Sequence, residues 1–414
     1  MSPRTFFSPY VRLFAVPGAG AFSFAGWLAR LPMPILGLGA VLLVEGASGS
    51  YALAGAVAGT LALVGALAGP LWARAMDRRG QGAVLRLAFT GYLLSGSAFV
   101  AAVVAGAPTW SWFLLAGLTG ACGPNVGSIV RARWAHALDA DRRETAFAFE
   151  SVVDEVVFVI GPPLVTLLAT LVNPPVGFMT GVVIGFCGGM WLSRLRDTEP
   201  PVHPREAGRS GRPALLAPAV IAVVLPYLAV GAVFGAMDVV VVAFAEFEGV
   251  PPFAGLALAV YAAGSLVAGL VYGVIRLPGS LAARYIGCAL FFAVAVQLLL
   301  AVGSLSVLLP VAFLSGLSIA PVLVSGTSLV ESRMPRAALT EALSWTTTGL
   351  TLGVTAGSAV AGAAVDAWGA ETAFAVPALA AGLAGVLALA GAPLLRTRTA
   401  DPVPEPLPAT GGGG

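Results

Sequence analysis

The sequence predicts an all-α membrane protein: twelve transmembrane helices in two pseudo-symmetric six-helix halves. Three observations carry this reading. Of 414 residues, 58% are hydrophobic and only 10% charged, with a mean hydropathy of +0.92. Soluble domains carry about 25% charged residues, and a soluble fold of this length leaves too much surface wet to hide so much apolar side chain. Cutting at charge clusters and at Gly, Pro and Ser turns leaves twelve apolar stretches, each holding the roughly 20 residues that a crossing needs. Finally, the arginines fall on alternate loops.

Spans 1 to 6 are expected at 11–44, 50–75, 82–105, 109–137, 145–172 and 176–195, and spans 7 to 12 at 215–245, 252–276, 281–302, 305–331, 338–366 and 370–395. ARLPMP (29–34) interrupts the first, which is tolerable because neighbouring helices satisfy backbone groups freed by proline. The start, MSPRTFFSPYVRLFAV, reads as the lead-in to span 1 rather than a signal peptide. Arg4 and Arg12 precede span 1; Arg74, Arg78, Arg79 and Arg86 flank the loop after span 2. Arg131, Arg133, Arg142 and Arg143 flank the loop after span 4, and Arg194, Arg196, Arg205, Arg209 and Arg212 surround the one after span 6. Arg276 with Arg284, Arg333 with Arg336, and Arg396 with Arg398 mark the ends of spans 8, 10 and 12. Only Arg30 stands apart. The other loops carry Glu45, Glu246, Glu248, Asp366 and Glu371. The positive-inside rule then puts both termini in the cytoplasm of a multi-pass cell (plasma) membrane protein.

RDTEPPVHPREAGRSGRP (196–213) is too polar to span and too short to fold alone, and reads as a linker. The chain divides accordingly into a first half (1–195), the linker (196–213), a second half (214–396) and a Pro/Gly-rich tail (397–414) expected to be disordered and cytoplasmic. SIVRAR (128–133) closes span 4 and SLVESR (328–333) closes span 10, 200 positions later. Parallel repeats of this kind describe a two-halved secondary transporter with a central site.

The loop between spans 2 and 3 reads ARAMDRRGQG (73–82). With the six-plus-six arrangement it resembles the major facilitator superfamily, whose pattern here is roughly Gly-x-Leu-x-Asp-Arg-x-Gly-Arg-Arg. Asp77, Arg78 and Gly80 match at the expected spacing; Ala73 stands where Gly is usual and Gln81 where a basic residue is usual. The resemblance implies a gate that holds the two halves closed on the cytoplasmic side; the plainer reading is a turn with two topology-setting arginines. Gly161-Pro162 in span 5 resembles a Gly-Pro pair of proton-coupled exporters in the family, although Pro163 and Leu164 follow where that motif is Gly-rich. Such exporters also carry an arginine in span 4; Arg131 and Arg133 lie nearer its cytoplasmic end.

FAFESVVDEVVFVIGP (147–162) places Glu150, Asp154 and Glu155 in a segment otherwise aromatic and aliphatic. A charge at mid-bilayer costs about 2.5–3.5 kcal/mol on insertion scales, so these acids face a cavity or a partner. Glu150 and Asp154 share a helix face, and Glu155 points roughly 100° away from Asp154. Counted from Glu144 at about 1.5 Å per residue, Glu150 lies about 9 Å and Asp154 about 15 Å into the membrane. Adjacent buried acids share protons rather than both ionising, so one reading makes Asp154 or Glu155 the proton site, with Glu150 nearer the gate. The alternatives are a structural pair with Arg131 or Arg133, or a site for a cationic part of the substrate. EALSWTTTGLTLGVTAG (341–357), the counterpart in the second half, has no acid after Glu341.

Asp238, in FGAMDVVVV, is a further intramembrane acid; spans 1 and 7 line the central cavity in the family that the chain resembles. Arg30 is either its partner across the cavity, an outer-gate residue, or a side chain snorkelling to the outer interface. Tyr227, Trp345, Phe149 and Phe158 are candidates for an aromatic pocket, with Thr347 among the polar groups opposite the acids.

All 22 basic residues are arginine, a compositional bias. Cys122, Cys187 and Cys288 are scattered in apolar runs, and His136 and His203 lie far apart, so neither disulfides, a metal site nor a cofactor is expected. No clustered catalytic set and no phosphate-binding Gly-Lys-Ser/Thr loop is present, which argues against an enzyme or an ATP-driven pump. A net charge of +2, with arginines that track topology, gives nucleic acid no footprint. The expectation is a monomeric secondary transporter that resembles bacterial proton-coupled efflux carriers. It would export a drug or secondary metabolite, with protons and the lipid bilayer as its other partners. The alternatives are a proton symporter importing a sugar, amine or organic acid, and a non-transporting sensor on the same scaffold.

Overall fold

The computed structural model describes residues 13–201, 214–274, 278–334 and 336–396. Residues 202–213 of the expected linker and the expected tail 397–414 lie outside it. Twelve helical stretches are long and apolar enough to cross a membrane, and no strand occurs among the described residues. Hydrocarbon enforces this outcome, because a helix satisfies its own N–H and C=O groups where no water can. The spans run Ala19–Ser48, Tyr51–Met76, Gln81–Val104, Thr109–Ala137, Thr145–Leu171 and Pro174–Arg194, then Pro218–Phe247, Phe253–Tyr272, Leu281–Ala301, Leu305–Arg333, Trp345–Trp368 and Ala370–Ala390. Span 1 starts later than the expected 11–44 because Pro17 and Gly18 (φ +78°) delay the helix.

Spans 1, 4 and 10 are broken well inside their length. Span 1 consists of Ala19–Arg30 and Pro32–Ser48; Pro32, with no N–H to donate, begins the second piece. Span 4 breaks at CGPN (122–125) between Thr109–Ala121 and Val126–Ala137, where Asn125 Oδ1 accepts the Ser128 N–H at 3.1 Å. Span 10 breaks between Leu305–Gly316 and Ile319–Arg333. Discontinuous helices at membrane depth are where transporter sites are built.

The two halves repeat one packing scheme. Span 1 packs on spans 5 and 6, span 2 on span 4, and span 3 on spans 4 and 6; in the second half span 7 packs on 11 and 12, span 8 on 10, and span 9 on 10 and 12. Small residues permit the approach. Gly120 of span 4 lies against the backbone of Leu61 in span 2, and Gly316 of span 10 against that of Tyr261 in span 8, neither with room for a Cβ. Leu61 and Tyr261 are 200 positions apart, the offset of SIVRAR and SLVESR. Within the second half, Gly353 of span 11 is pressed onto the Leu228 backbone of span 7.

Between the halves, span 2 packs on 11, span 5 on 8, and span 1 on 7. These contacts gather on the acidic side. Gly55 meets Ser358 and Gly59 meets Thr355, whose hydroxyl donates to the Gly59 carbonyl at 3.0 Å. At the very end Asp366 of span 11 caps span 2: it accepts from Ser50 Oγ at 2.8 Å, Tyr51 N at 3.0 Å and Ala52 N at 2.9 Å. The Tyr51 hydroxyl donates to Glu246 of span 7. Toward the arginine-rich side the seam parts. Nothing stands within 4 Å of where a Cβ on Gly69 would lie, and Thr347, on the span 11 face that carries Thr355 and Ser358, is exposed. Gly69 of span 2 and Thr347 of span 11 thus lie open on the arginine-rich side.

Two outcomes follow from this packing. Gly353→Val should cost about 1–3 kcal/mol, the usual penalty for overpacking, and shrink the monodisperse peak in size-exclusion chromatography, since backbone cannot rotate away. Asp366→Ala removes a helix cap worth about 1 kcal/mol. In a background with the three native cysteines replaced by serine, it should raise maleimide labelling of Thr355→Cys several-fold; unchanged labelling would mean that the cap does not hold the seam.

Candidate functional site

The first piece of span 1 ends on Arg30, and span 5, a helix over Ala140–Leu171, presents Glu150 and Asp154 to it. Arg30 Nη1 donates to Asp154 Oδ1 at 2.8 Å, Nη2 donates to Glu150 Oε2, and Nε donates to the Gly26 carbonyl at 3.1 Å. The second oxygens are also taken: Trp134 Nε1 donates to Glu150 Oε1 at 2.7 Å, and Arg131 Nη2 to Asp154 Oδ2 at 2.7 Å. Two guanidiniums and two carboxylates thus form a neutral network with every carboxylate oxygen occupied. Arg30 is 1% exposed and Glu150 0%. Phe22 stands edge-on to Trp134 with centroids 4.7 Å apart, and Phe14 bridges Trp134 and Phe149, so the inner end of the network is dry.

This placement corrects several expectations. Arg30 neither pairs with Asp238, guards an outer gate nor snorkels, because span 1 packs on span 5 and the Glu150/Asp154 face meets it first. Both Asp154 oxygens are taken by arginines, Oδ1 by Arg30 and Oδ2 by Arg131. Of the two span 4 arginines, Arg131 forms an ion pair with a span 5 acid and Arg133 does not. Arg133, fully buried, donates to Gln81 Oε1 at 2.9 Å, Thr198 Oγ1 at 2.9 Å, and the Leu195 and Leu192 carbonyls at 2.8 and 3.1 Å. It ties span 4 to the start of span 3 and to the residues that leave span 6.

Glu155, turned away from the network, lies beside Asp154 and the Ser265 hydroxyl of span 8. One turn along span 8, Tyr261 lies within electrostatic reach of Asp238 in span 7. Asp238 Oδ2 is 3.8 Å from where a Cβ on Gly37 of span 1 would stand. No basic side chain forms an ion pair with Glu155 or Asp238 among the described residues. The buried Tyr261 hydroxyl has no hydrogen-bond partner there either. Two carboxyls without an ion pair among the described residues therefore lie on the side of span 8 that carries Tyr261 and Ser265.

The profile of the Major Facilitator Superfamily matches residues 18–275, more than half of the chain. The chain belongs to the major facilitator superfamily. No curated protein matches it in sequence. Among solved structures it is similar to an auto-inhibited POT family peptide transporter (TM-score 0.71, 15% identity, 92% of this chain and 97% of that one). It is also similar to the nucleoside transporter NupG (0.69, 16%, 92% and 100%) and to the human organic anion transporter MFSD10, or TETRAN (0.63, 16%, 92% and 100%). Likeness at these identities shows the fold. As a superfamily member, the chain is a multi-pass membrane protein and a secondary transporter.

In this superfamily member the loop after span 2 keeps its glycine for a backbone reason. Gly80 has φ +81°, in the region that favours glycine, and closes the helix by donating to the Met76 carbonyl at 2.9 Å. Arg78 is exposed; the Asp77 side chain lies outside the described residues. Gly161 faces Pro34 with no room for a Cβ, while the Pro162 carbonyl and Pro163 close on Gly255 of span 8, so the Gly-Pro pair lies where span 5 meets spans 1 and 8. Tyr227 does not line an open cavity: it is 4% exposed, and its hydroxyl donates to the Leu323 carbonyl of span 10. Phe158 (40%) and Thr347 are exposed and Trp345 is half-buried. Sequence reasoning missed Tyr261 and Ser265, which carry no charge to mark them, and Trp134, whose indole N–H is visible only once it points at Glu150.

Arg30→Gln or Glu150→Gln alone strands a buried charge and should cost about 3–5 kcal/mol, read as a lower Tm in detergent. The double variant should lose clearly less than the sum, giving a coupling of about 1 kcal/mol or more; additive losses would show that the pair is not coupled.

Proposed function

We propose that this superfamily member exports a small organic compound, a drug-like molecule or secondary metabolite, in exchange for protons by alternating access. One observation carries the proposal: Glu155 and Asp238 are carboxyls at membrane depth with which no arginine forms an ion pair among the described residues. A lone carboxylate in hydrocarbon is expensive, so each holds either a proton or a cationic group brought by the substrate. Occupants that exclude one another at one site meet the requirement for exchange.

The neutral network of Arg30, Glu150, Asp154 and Arg131 is the fixed brace beside this site. With the arginine-rich face and both termini in the cytoplasm of the cell membrane, the open side receives the compound from inside. Closure of the loop after span 2 and release of the Asp366 seam then present it outside, where protons displace it. In this scheme the chain acts as a monomer.

Inside-out vesicles with an imposed acid-inside gradient and a pH-sensitive dye test this. Among hydrophobic cations, neutral drugs and sugars, at least one compound should collapse the gradient with the unmodified chain. Glu155→Gln and Asp238→Asn should each reduce that exchange at least tenfold while assembly stays normal. Transport without proton movement, or full exchange in both variants, sinks the proposal.

A further inference from the structure

Spans 8, 9 and 10 enclose a groove that the transport site does not use. Its first compartment, about 390 Å³, is lined by Tyr272, Arg284, Gly287, Phe291 and Pro321. A second, about 250 Å³, adjoins it across Tyr272, Phe291 and Pro321 and continues along Val271, Val267 and Leu317. The first lies within the roughly 300–1,000 Å³ typical of small-molecule sites. Val267 and Val271 lie about 120° round span 8 from Tyr261 and Ser265, so the groove and the carboxyl pair occupy different faces. Phe291 and Val271 are each 49% exposed, an apolar wall without a protein neighbour to cover it.

The two ends differ in chemistry. At the arginine-rich end stands Arg284, one turn into span 9. Its Nε is buried and has no hydrogen-bond partner, and no acid pairs with it among the described residues. A guanidinium with a free donor at the mouth of an apolar groove lacks an anion of its own. Toward mid-membrane the lining is aliphatic, running from Tyr272 back to Val267, about 7.5 Å along the helix. A cation at headgroup depth followed by an apolar channel is complementary to one kind of molecule, and basic pockets between transmembrane helices select anionic headgroups.

We propose that this groove binds one anionic phospholipid of the leaflet on the arginine-rich side. Arg284 holds the phosphate through paired N–H donors, and an acyl chain lies along Val271, Val267 and Leu317. The lipid packs where spans 8 and 10 flank span 9, and so braces the second half from outside the transport pathway.

Native mass spectrometry and thermal melting of the full chain, delipidated in detergent, test the proposal. The probes are dioleoyl phosphatidylglycerol, dioleoyl phosphatidylcholine and inorganic phosphate. Phosphatidylglycerol should be retained one per chain, several-fold better than phosphatidylcholine, and should raise Tm. Arg284→Gln should erase that preference. Gly287→Leu places its side chain in space that is open for 4 Å around the Cβ position; it should fill the groove and expel the lipid while Arg284 and the fold remain. Equal retention of the two lipids, a preference that survives Arg284→Gln, or a Tm rise from inorganic phosphate as large as that from phosphatidylglycerol overturns the proposal. Should Arg284→Gln fail to fold, undiminished phosphatidylglycerol binding by Gly287→Leu overturns it equally.

Discussion

An arginine sealed inside a membrane must find its counter-charge within side-chain reach, and Arg30 is the point from which the first half is arranged. It ends the inner piece of span 1, and span 5 must hold a register that brings both Glu150 and Asp154 to it. Span 4 then closes the remaining valences, Trp134 on one acid and Arg131 on the other. A one-residue rotation of span 5 would turn this face about 100° away and leave charge unpaired in hydrocarbon. The network thus fixes three helices against one another, and by using up Asp154 it leaves Glu155 as the acid of this run that faces the other half.

Between the halves, close backbone contacts accompany the Asp366 cap and the Tyr51–Glu246 hydrogen bond. Gly55 and Gly59 let span 2 touch span 11, and Gly255 lets span 8 touch span 5. In lipid the hydrophobic effect does not drive helices together, so close contact between small residues is a principal source of attraction. Such contacts are many, weak and shallow, which suits surfaces that part and meet again. Among the described residues the buried ion pairs lie in the first half, while small-residue contacts occur both within and between the halves.

Much of the fold was legible because the membrane imposes few choices. Twelve apolar stretches mark the spans, and the break at ARLPMP reappears at Leu31. Side-chain partners were legible only in part. Helical periodicity puts Glu150 and Asp154 on one face but does not say which span meets it, so a pairing with Asp238, an outer gate and snorkelling all stay open for Arg30. Arg133 looked equivalent to Arg131 by position; two residues along a helix is about 200° of rotation, and that sends it to Gln81 and Thr198 rather than to the acids. Neutral groups such as Ser265, Tyr261 and Trp134 become functional candidates only through what stands next to them.

The cap that Asp366 places on span 2 bears on how the seam parts. One carboxyl group accepts from Ser50, Tyr51 and Ala52 together, so these bonds have no independent existence: withdrawing the group breaks all three. Parting spans 2 and 11 at this end therefore exposes the first turn of span 2 in one step, and water must take over the N–H groups that the carboxylate releases.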